Sequence, residues 1–144
     1  MATETNTIRV DIVSAEREIF AGEAEAVFAP AQLGEVGIMP GHAAMLAQLR
    51  PGEVRVQLKG GEQQAFYVSG GMLEVQPRNV TVLSDTAVRA HDLDEAAVLK
   101  AKQEAEDALK DRSGKIDFAK AQAELAELAA QLQTIQRLRR RSGG

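Results

Sequence analysis

The sequence predicts an N-terminal β-sandwich domain followed by a C-terminal antiparallel two-helix hairpin, an all-β unit plus an α-hairpin. Two observations support this division. Residues 1–90 contain short segments of alternating apolar and polar residues, separated by turn residues at intervals of roughly 8–12 positions. After Asp92 the apolar spacing changes to the 3-4 period of helices. No helical pattern interrupts the first part, so the βαβ units of a parallel sheet are not expected. We therefore predict domains over residues 1–90 and 91–144.

Period-2 alternation and β-branched residues predict the strands of the sandwich. In chain order they span residues 8–12, 18–20, 24–29, 54–58, 63–68, 72–75 and 80–83. Turns are predicted at Ala21-Gly22-Glu23, at the hairpin dipeptide Gly60-Gly61 and at residues 77–79. Residues 34–54 are dense in turn residues and include the turn dipeptide Pro51-Gly52, so this segment is interpreted as turn-rich.

Acidic residues mark the start of both predicted helices. Asp92 is the predicted cap of the first helix, with Glu95 reaching back to complete a capping box. This helix is expected to run over residues 93–111 and to be broken by Ser113-Gly114-Lys115. Asp117 is expected to cap a second helix that ends near Arg140. The short link predicts an antiparallel hairpin.

The apolar stripes of the two helices differ in size. The second stripe consists of Phe118, Ala121, Leu125, Leu128, Leu132 and Ile135. The first consists of Val98, Ala101, Ala105 and Ala108, and Ala buries little area. Two interpretations remain open: an ordinary hairpin docked on the sheet, or a hairpin that opens and offers its leucine stripe to another protein.

Composition and charge exclude several function classes. The chain has 144 residues and a net charge of −4, which argues against a general nucleic-acid binder. It has no Cys, no pattern of a signal peptide and no apolar run near the ~20 residues that span a bilayer, so membrane association is expected only through partners. Four of the last basic residues form a local positive patch, the arginine cluster: Arg137, Arg139, Arg140 and Arg141.

No motif for catalysis, cofactor binding or metal binding is found in the sequence. The two histidines, His42 and His91, are far apart, and there is no Cys to complete a metal site with them. Phosphate-binding glycine loops and the G-x-S-x-G motif of serine hydrolases are absent. The carboxylates show no spacing typical of paired acid and base groups. We therefore predict a non-enzymatic chain without a cofactor.

Two stretches taken together resemble a known family. They are GEVGIMPGHAAMLAQLRPGEV (34–54) and YVSGGMLEVQPRNVTVLSDTAVRAHDLDEA (67–96), and AQAELAELAAQL (121–132) extends the likeness through the hairpin. Each element alone is weakly specific, but their joint order and spacing closely resemble the epsilon subunit of bacterial F-type ATP synthases. That family combines an N-terminal β-sandwich with two C-terminal helices.

The resemblance implies a non-catalytic rotor subunit in the central stalk of a proton-translocating complex. Its partners would be the gamma subunit, the c-ring and the alpha/beta catalytic headpiece, at the cytoplasmic face of the bacterial plasma membrane. The sandwich would help couple ring rotation to the headpiece, and the helices would extend to inhibit ATP hydrolysis. Glu35, Met39 and His42 fall in the loop that lies close to the ring in this family.

The resemblance also has one departure. Relatives that bind ATP on the first helix carry L-D-x-x-R-A. Here Leu93 and Asp94 match, but Ala97 and Val98 replace the Arg and the Ala. Because the lost Arg removes a charge-assisted phosphate contact, ATP binding is not expected.

The arginine cluster has two interpretations: it complements the dipole at the end of the second helix, or it meets acidic residues of the headpiece when the hairpin extends. Two other function classes stay open on the residues alone. One is a free-standing regulatory adaptor that binds another assembly through the sandwich, and the other is an enzyme with an unrecognised carboxylate site. Co-purification with the gamma subunit and an activity screen would separate these classes.

Overall fold

Strands fill the N-terminal part of the chain and two long helices follow. The computed structural model of the protein describes residues 6–110 and 117–142. The strands are β1 (Ile8–Val13), β2 (Glu18–Ala31), β3 (Gly34–Ile38), β4 (Met45–Leu49), β5 (Gly52–Leu58), β6 (Gln63–Val68), β7 (Gly71–Val75), β8 (Asn79–Leu83) and β9 (Ala87–Arg89). A single 3-10 turn, Ala90–Asp92, leads to α1 (Glu95–Lys110) and α2 (Phe118–Ser142). The predicted fold class is confirmed.

The long strand β2 joins the two layers of the sandwich. The strand order is β1-β8-β7-β4-β2-β5-β6-β9, with β3 paired to β2 and a further pairing of β1 with β2. The first half of β2 pairs with β1, and its second half pairs with β3 and β5. The β1–β8 pair is parallel, and the other pairs are antiparallel.

The inward residues of the alternating strands form one largely aliphatic core, in which Phe66 is the aromatic member and the partly buried Phe20 packs against it. Its buried members are Ile8, Val10, Ile12, Ala24, Val27, Ala29, Ile38, Leu49, Val54, Val56, Phe66, Val68, Leu73, Val75, Val80, Val82 and Ala87. All of them lie between Ile8 and Ala87, so the helices add no residue to this core.

The predicted turn at Ala21-Gly22-Glu23 is wrong. These residues continue β2, because they pair with Asp11, Val10 and Arg9 of β1 in an unbroken register. The glycine in this position has a packing role: a Cβ on Gly22 would lie 3.2 Å from the ring of Phe20. The predicted strand 24–29 also ends two residues too early, since Pro30 and Ala31 still pair with Glu35 and Gly34 of β3.

The interpretation of residues 34–54 as a turn-rich segment is wrong as well. This segment contains β3 and β4, and β5 begins at Gly52 before the predicted start. Gly37 is a strand residue that leaves room for an aromatic neighbour, because its Cβ would lie 3.2 Å from the Phe28 ring. Glycines that serve close packing were therefore misinterpreted as turn signals.

The helix starts are partly as predicted. Asp94, and not Asp92, caps α1: its Oδ1 accepts hydrogen bonds from the backbone N–H groups of Ala96 (3.0 Å) and Ala97 (3.3 Å). The predicted capping box is wrong because Asp92 closes the preceding 3-10 turn. The Asp117 cap is confirmed, with Lys120 N–H donating to its Oδ1 at 3.2 Å. The predicted break at residues 113–115 lies outside the described residues.

The helices pack through a small apolar cluster, the hairpin cluster. Its buried members are Val98, Ala105, Leu128, Leu132 and Ile135, with Leu93, Ala101 and Leu125 packed against them. Three predicted stripe members do not take part: Ala121 is half-buried outside the cluster, Phe118 is 56% exposed, and Ala108 is exposed. An ion pair between Arg139 near the end of α2 and Glu95 at the start of α1 agrees with antiparallel helices.

A chain ending at Ala90 is expected to fold alone. The sandwich core is complete by Ala87, so only the helical cover over one sheet face is lost. We expect cooperative thermal unfolding with a stability about 2 kcal/mol below that of the full chain, because Tyr67 loses its cover. Circular dichroism melts of both chains measure this difference. A broad, non-cooperative transition would contradict it. The domain boundary itself stays a prediction.

Candidate functional site

An exposed apolar face lies on the outer side of strands β4, β7 and β8. Its members are Leu46, Met72 and Leu83, which are 69%, 39% and 46% exposed. Met72 is the direct cross-strand neighbour of Leu83. On the other side, Gln48 of β4 lies opposite Met72, so Leu46, two residues before Gln48, is a diagonal neighbour of Met72. The exposed polar residues Gln48 and Glu74 share this face, lying opposite Met72 and Leu46. Exposed apolar side chains grouped on one sheet face and bordered by polar residues favour a protein interaction surface.

The apolar face was not predicted as a site. The alternation around Leu73 and Val75 shows that the intervening residues face outward, and this signal was available for Met72. Leu46 could not be assigned to the same face because β4 was not predicted. Gly71 precedes Met72 and holds the edge of this face close to Leu83: it has φ +119°, and its Cβ would lie 1.9 Å from the Leu83 carbonyl oxygen.

The three residues predicted to lie near the ring fall in β3 and in the connection that follows it, where the His42 N–H donates to the Met39 carbonyl oxygen at 3.1 Å. Glu35 is a residue of β3 and not of a loop, because it pairs with Pro30 of β2. Met39 and His42 lie in the connection between β3 and β4, where Met39 is exposed and His42 is half-buried. Among the described residues no hydrogen bond or ion pair joins these three side chains.

Glu35 and His42 each have a local partner. Arg55 Nη2 donates to Glu35 Oε1 at 2.6 Å, and the Arg55 guanidinium lies over the Phe28 ring at 4.7 Å from its centroid. His42 Nδ1 lies 2.7 Å from the carbonyl oxygen of Ala43, which accepts a hydrogen bond when this nitrogen carries the proton. These contacts fix the two side chains locally. Contact of either residue with a ring stays a prediction.

The arginine cluster has an intramolecular partner that was not predicted. Arg141 donates to both carboxylate oxygens of Glu53, from Nη2 to Oε2 at 2.7 Å and from Nη1 to Oε1 at 3.4 Å. Arg137 Nη1 lies 3.9 Å from Glu53 Oε1. Arg139 forms its ion pair with Glu95, whereas Arg140 forms no ion pair with any residue that the structure describes. Two of the four arginines therefore bind the sandwich.

Glu53 is a buried carboxylate in β5. Its side chain is only 1% exposed, and Arg55 Nε lies 3.8 Å from Oε1 in addition to the two helix arginines. Charge-assisted hydrogen bonds in a bidentate arrangement are among the stronger polar contacts. Alternation with Val54 and Val56 places Glu53 on the outer sheet face, but no sequence signal identified α2 as the element that covers it.

Tyr67 lies beside Glu53 on the same covered face. The two residues are directly opposite in the β5–β6 register. The pKa of Tyr67 is raised to about 12, chiefly because burial disfavours the phenolate; Gln131 of α2 lowers it and the charge of Glu127 raises it. Gln131 does not complete a hydrogen bond of normal geometry, so the buried hydroxyl is unsatisfied among the described residues. Such a group costs about 1–3 kcal/mol.

Glu127 of α2 is a partly buried carboxylate near the same boundary. Its pKa is raised, first by burial, then by the negative charges of Glu124 and of Asp85 in the sandwich. Because the protonated form is favoured in the folded chain, the contribution of Glu127 to stability grows as the pH falls through this raised pKa and shrinks as it rises. At neutral pH Glu127 therefore contributes less to stability than it does at acidic pH.

Other chemistry is sparse. The described residues contain no group of three or more His, Cys, Asp or Glu side chains that would hold a metal ion. His91 Nε2 lies 3.4 Å from Asp92 Oδ1 at the surface, and His42 is in another part of the fold. Ala97, the position of the missing Arg, is exposed on α1. Within residues 6–110 and 117–142, neither helix combines the length and apolar character needed to cross a membrane.

Comparisons with known proteins match nearly the whole chain. Residues 7–90 match the family model "ATP synthase, Delta/Epsilon chain, beta-sandwich domain", and residues 91–136 match "ATP synthase, Delta/Epsilon chain, long alpha-helix domain". An ATP synthase epsilon chain of Nitrosococcus oceani is 64% identical over 137 residues, covering 95% of this chain and 98% of that one. ATP synthase epsilon chain 1 of Methylococcus capsulatus is 63% identical over 134 residues, covering 93% and 96%.

Solved structures agree with these matches. A chain in the cryo-EM structure of the Euglena gracilis mitochondrial ATP synthase, OSCP/F1/c-ring, superposes with a TM-score of 0.72 at 25% identity, covering 88% of this chain and 79% of that chain. A chain of the Tetrahymena thermophila central stalk and c-ring shares the fold, with a TM-score of 0.58, 14% identity and coverage of 92% and 99%. The resemblance seen in the sequence is confirmed, and the chain belongs to the delta/epsilon chain family of ATP synthase.

Proposed function

We propose that this chain is a non-catalytic rotor subunit of an F-type ATP synthase that couples c-ring rotation to the catalytic headpiece, and that its helices inhibit ATP hydrolysis. The observation that carries the rotor role is the family match over both the sandwich and the helices, residues 7–136. The Euglena chain that shares this fold belongs to an F1/c-ring assembly. Membership of an ATP synthase complex also accounts for a chain in which no catalytic motif is found.

The apolar face is the proposed contact with the gamma subunit. Leu46, Met72 and Leu83 lie on the outer face of one sheet layer, whereas α2 covers β5 and β6 of the other layer. The face is therefore free for a partner while the hairpin is docked. Its apolar character suits a permanent contact within a stalk, because burial of such side chains contributes about 1.5–3 kcal/mol each.

The connection between β3 and β4 is the proposed contact with the c-ring. Met39 supplies an exposed apolar side chain there, and His42 supplies a polar group beside the Ala43 carbonyl. Glu35 of the adjoining β3 adds a carboxylate that is positioned by Arg55. Through this contact the complex would hold the chain at the cytoplasmic face of the bacterial plasma membrane. The chain itself needs no membrane-spanning segment for this location.

Acidic substitutions in the apolar face test the gamma contact. We expect the double variant Leu46→Asp/Met72→Asp to weaken binding to the gamma subunit at least about 30-fold, because central apolar contacts carry most interface energy and two carboxylates would be desolvated. Co-purification and titration with the gamma subunit measure this loss. Leu99→Asp, at an exposed leucine of α1, is the control and should bind normally.

Two checks complete this experiment. A circular dichroism melt must show that the double variant remains folded, which its exposed positions favour. Undiminished gamma binding by the folded double variant would contradict the assignment of the apolar face. Failure of the unmodified chain to bind the gamma subunit at all would favour the free-standing adaptor.

A further inference from the structure

The helix α2 has two different faces. One face carries Leu125, Leu128, Leu132 and Ile135 and packs in the hairpin cluster. A second row with 3-4 spacing runs through Glu127, Ala130, Thr134, Arg137 and Arg141. Ala130 and Thr134 are buried without belonging to either apolar cluster, and α2 contacts β5 and β6 of the sandwich. The second row is therefore the docking face of α2.

This docking face offers little apolar area. Its buried centre consists of Ala130, which offers one methyl group, and of Thr134. The Thr134 hydroxyl donates to the Ala130 carbonyl within the helix at 2.9 Å. The sandwich core and the hairpin cluster are separate, with no buried apolar residue shared between them. On the sandwich side, Tyr67 contributes its ring but leaves its hydroxyl unsatisfied. Apolar burial alone therefore holds the hairpin weakly.

The strong contact of the boundary is at Glu53. One carboxylate, 1% exposed, accepts both bonds from Arg141 and faces Arg137 and Arg55. At 1.5 Å per residue, Glu127 lies roughly 20 Å away along α2 from Arg141, and its pKa is raised by burial and by the charges of Glu124 and Asp85. One end of the docking face is thus held by ion pairs, whereas the other end carries a partly buried carboxylate that forms no ion pair among the described residues.

We propose that Glu53 is an ionic latch that sets how much of the hairpin is docked on the sandwich. The latch binds Arg141 and Arg137, and its release frees both guanidinium groups together. Release is reversible because it leaves no charge stranded: Glu53 becomes solvated on the outer sheet face with Arg55 still beside it. The consequence of this latch for ATP hydrolysis rests on the proposed function, whereas the latch itself is a property of the isolated chain.

Distance measurements on the isolated full chain test the latch. Because the sequence has no Cys, the substitutions Gln76→Cys and Gln136→Cys provide two unique spin-label sites, one on the β7–β8 turn and one on α2. Double electron–electron resonance then measures the distribution of distances between the two labels, from which the docked and undocked fractions follow. We expect Glu53→Gln and Arg141→Gln each to raise the ratio of undocked to docked chain roughly tenfold or more, since removal of one partner from a buried pair is strongly destabilising.

The chain offers a matched control and a coupling test. Arg140→Gln removes the same charge from the same helical turn, but Arg140 forms no ion pair among the described residues, so the distance distribution should stay unchanged. The double variant Glu53→Gln/Arg141→Gln should be no more undocked than the worse of the two single variants, because both remove one interaction. A melt of the 1–90 chain carrying Glu53→Gln checks that the sandwich itself is intact.

The outcomes separate the latch from the proposed function. A docked population that Glu53→Gln leaves unchanged overturns the latch, as does additive behaviour of the two substitutions. Absence of a docked population in the unsubstituted chain overturns it too. None of these results depends on the ATP synthase, so a functional latch in a chain that fails to bind the gamma subunit would instead contradict the rotor assignment.

Discussion

Replacement of Gly71 by Ala is expected to destabilise the sandwich by more than about 3 kcal/mol, lowering its melting temperature by more than about 10 °C. Gly71 has φ +119°, a conformation that L side chains rarely adopt. The added Cβ would also lie 1.9 Å from the Leu83 carbonyl oxygen and 2.9 Å from the Ser84 Cα, both backbone atoms that cannot rotate away. Strands β7 and β8 must therefore separate at this end.

The control for this variant is Gly61→Ala. Gly61 has a similar φ of +93°, but nothing lies within 4 Å of its added Cβ. Only the conformational strain remains, which costs about 1 kcal/mol. Thermal and denaturant unfolding of both variants measure the difference. Equal stability losses would show that the close approach of β7 to β8 relaxes without cost. The Gly71 variant should also lose gamma binding, because it displaces both Met72 and Leu83 of the apolar face.

Alternation predicted most strands of the sandwich because inward and outward residues differ clearly in this chain. Seven predicted strands correspond to parts of β1, β2, β5, β6, β7 and β8, and the helix pair is present as expected. Two of the misses have one physical cause, although β4 and β9, which contain no glycine, were missed as well. Gly22 and Gly37 were interpreted as turn signals, but each makes room for an aromatic ring, Phe20 or Phe28, within a strand. A single sequence does not distinguish these two uses of glycine.

The candidate surfaces were less predictable than the fold. The arginine cluster is evident from charge alone, whereas its partner Glu53 depends on which sheet face α2 covers. The covered face is set by two features: the β5–β6 register, which places Glu53 opposite Tyr67, and the docking face of α2. The apolar face needed the positions of β4, β7 and β8 together. Positions contributed by distant strands are not encoded in any local pattern.

The latch changes what is expected of the arginine cluster in the assembled complex. Arg137 and Arg141 cannot bind Glu53 and an acidic partner in the headpiece at the same time. Replacement of all four arginines by Ala removes the Glu53 contact and would also remove the hypothesised charged contacts with the headpiece, so it frees the hairpin but leaves it without these arginines. Glu53→Gln frees the hairpin but retains the arginines. The two changes therefore have opposite expected effects on inhibition.

We expect Glu53→Gln to lower ATP hydrolysis by the assembled complex several-fold. The quadruple variant, in which Arg137, Arg139, Arg140 and Arg141 are all replaced by Ala, should raise it. A shift of about 1.4 kcal/mol in the docking equilibrium changes the undocked population tenfold, which sets the scale of the first effect. The hydrolysis rate of the quadruple variant should not exceed the rate of a complex whose chain ends at Ala90, because that complex lacks the hairpin altogether. Steady-state hydrolysis by the three complexes, after gel analysis of their assembly, measures both directions.

Inhibition in the Arg variant should also lose its dependence on salt, because screened ion pairs no longer contribute. If removal of the hairpin raises ATP hydrolysis but the quadruple Ala variant does not, then the leucine stripe and not the arginine cluster causes the inhibition.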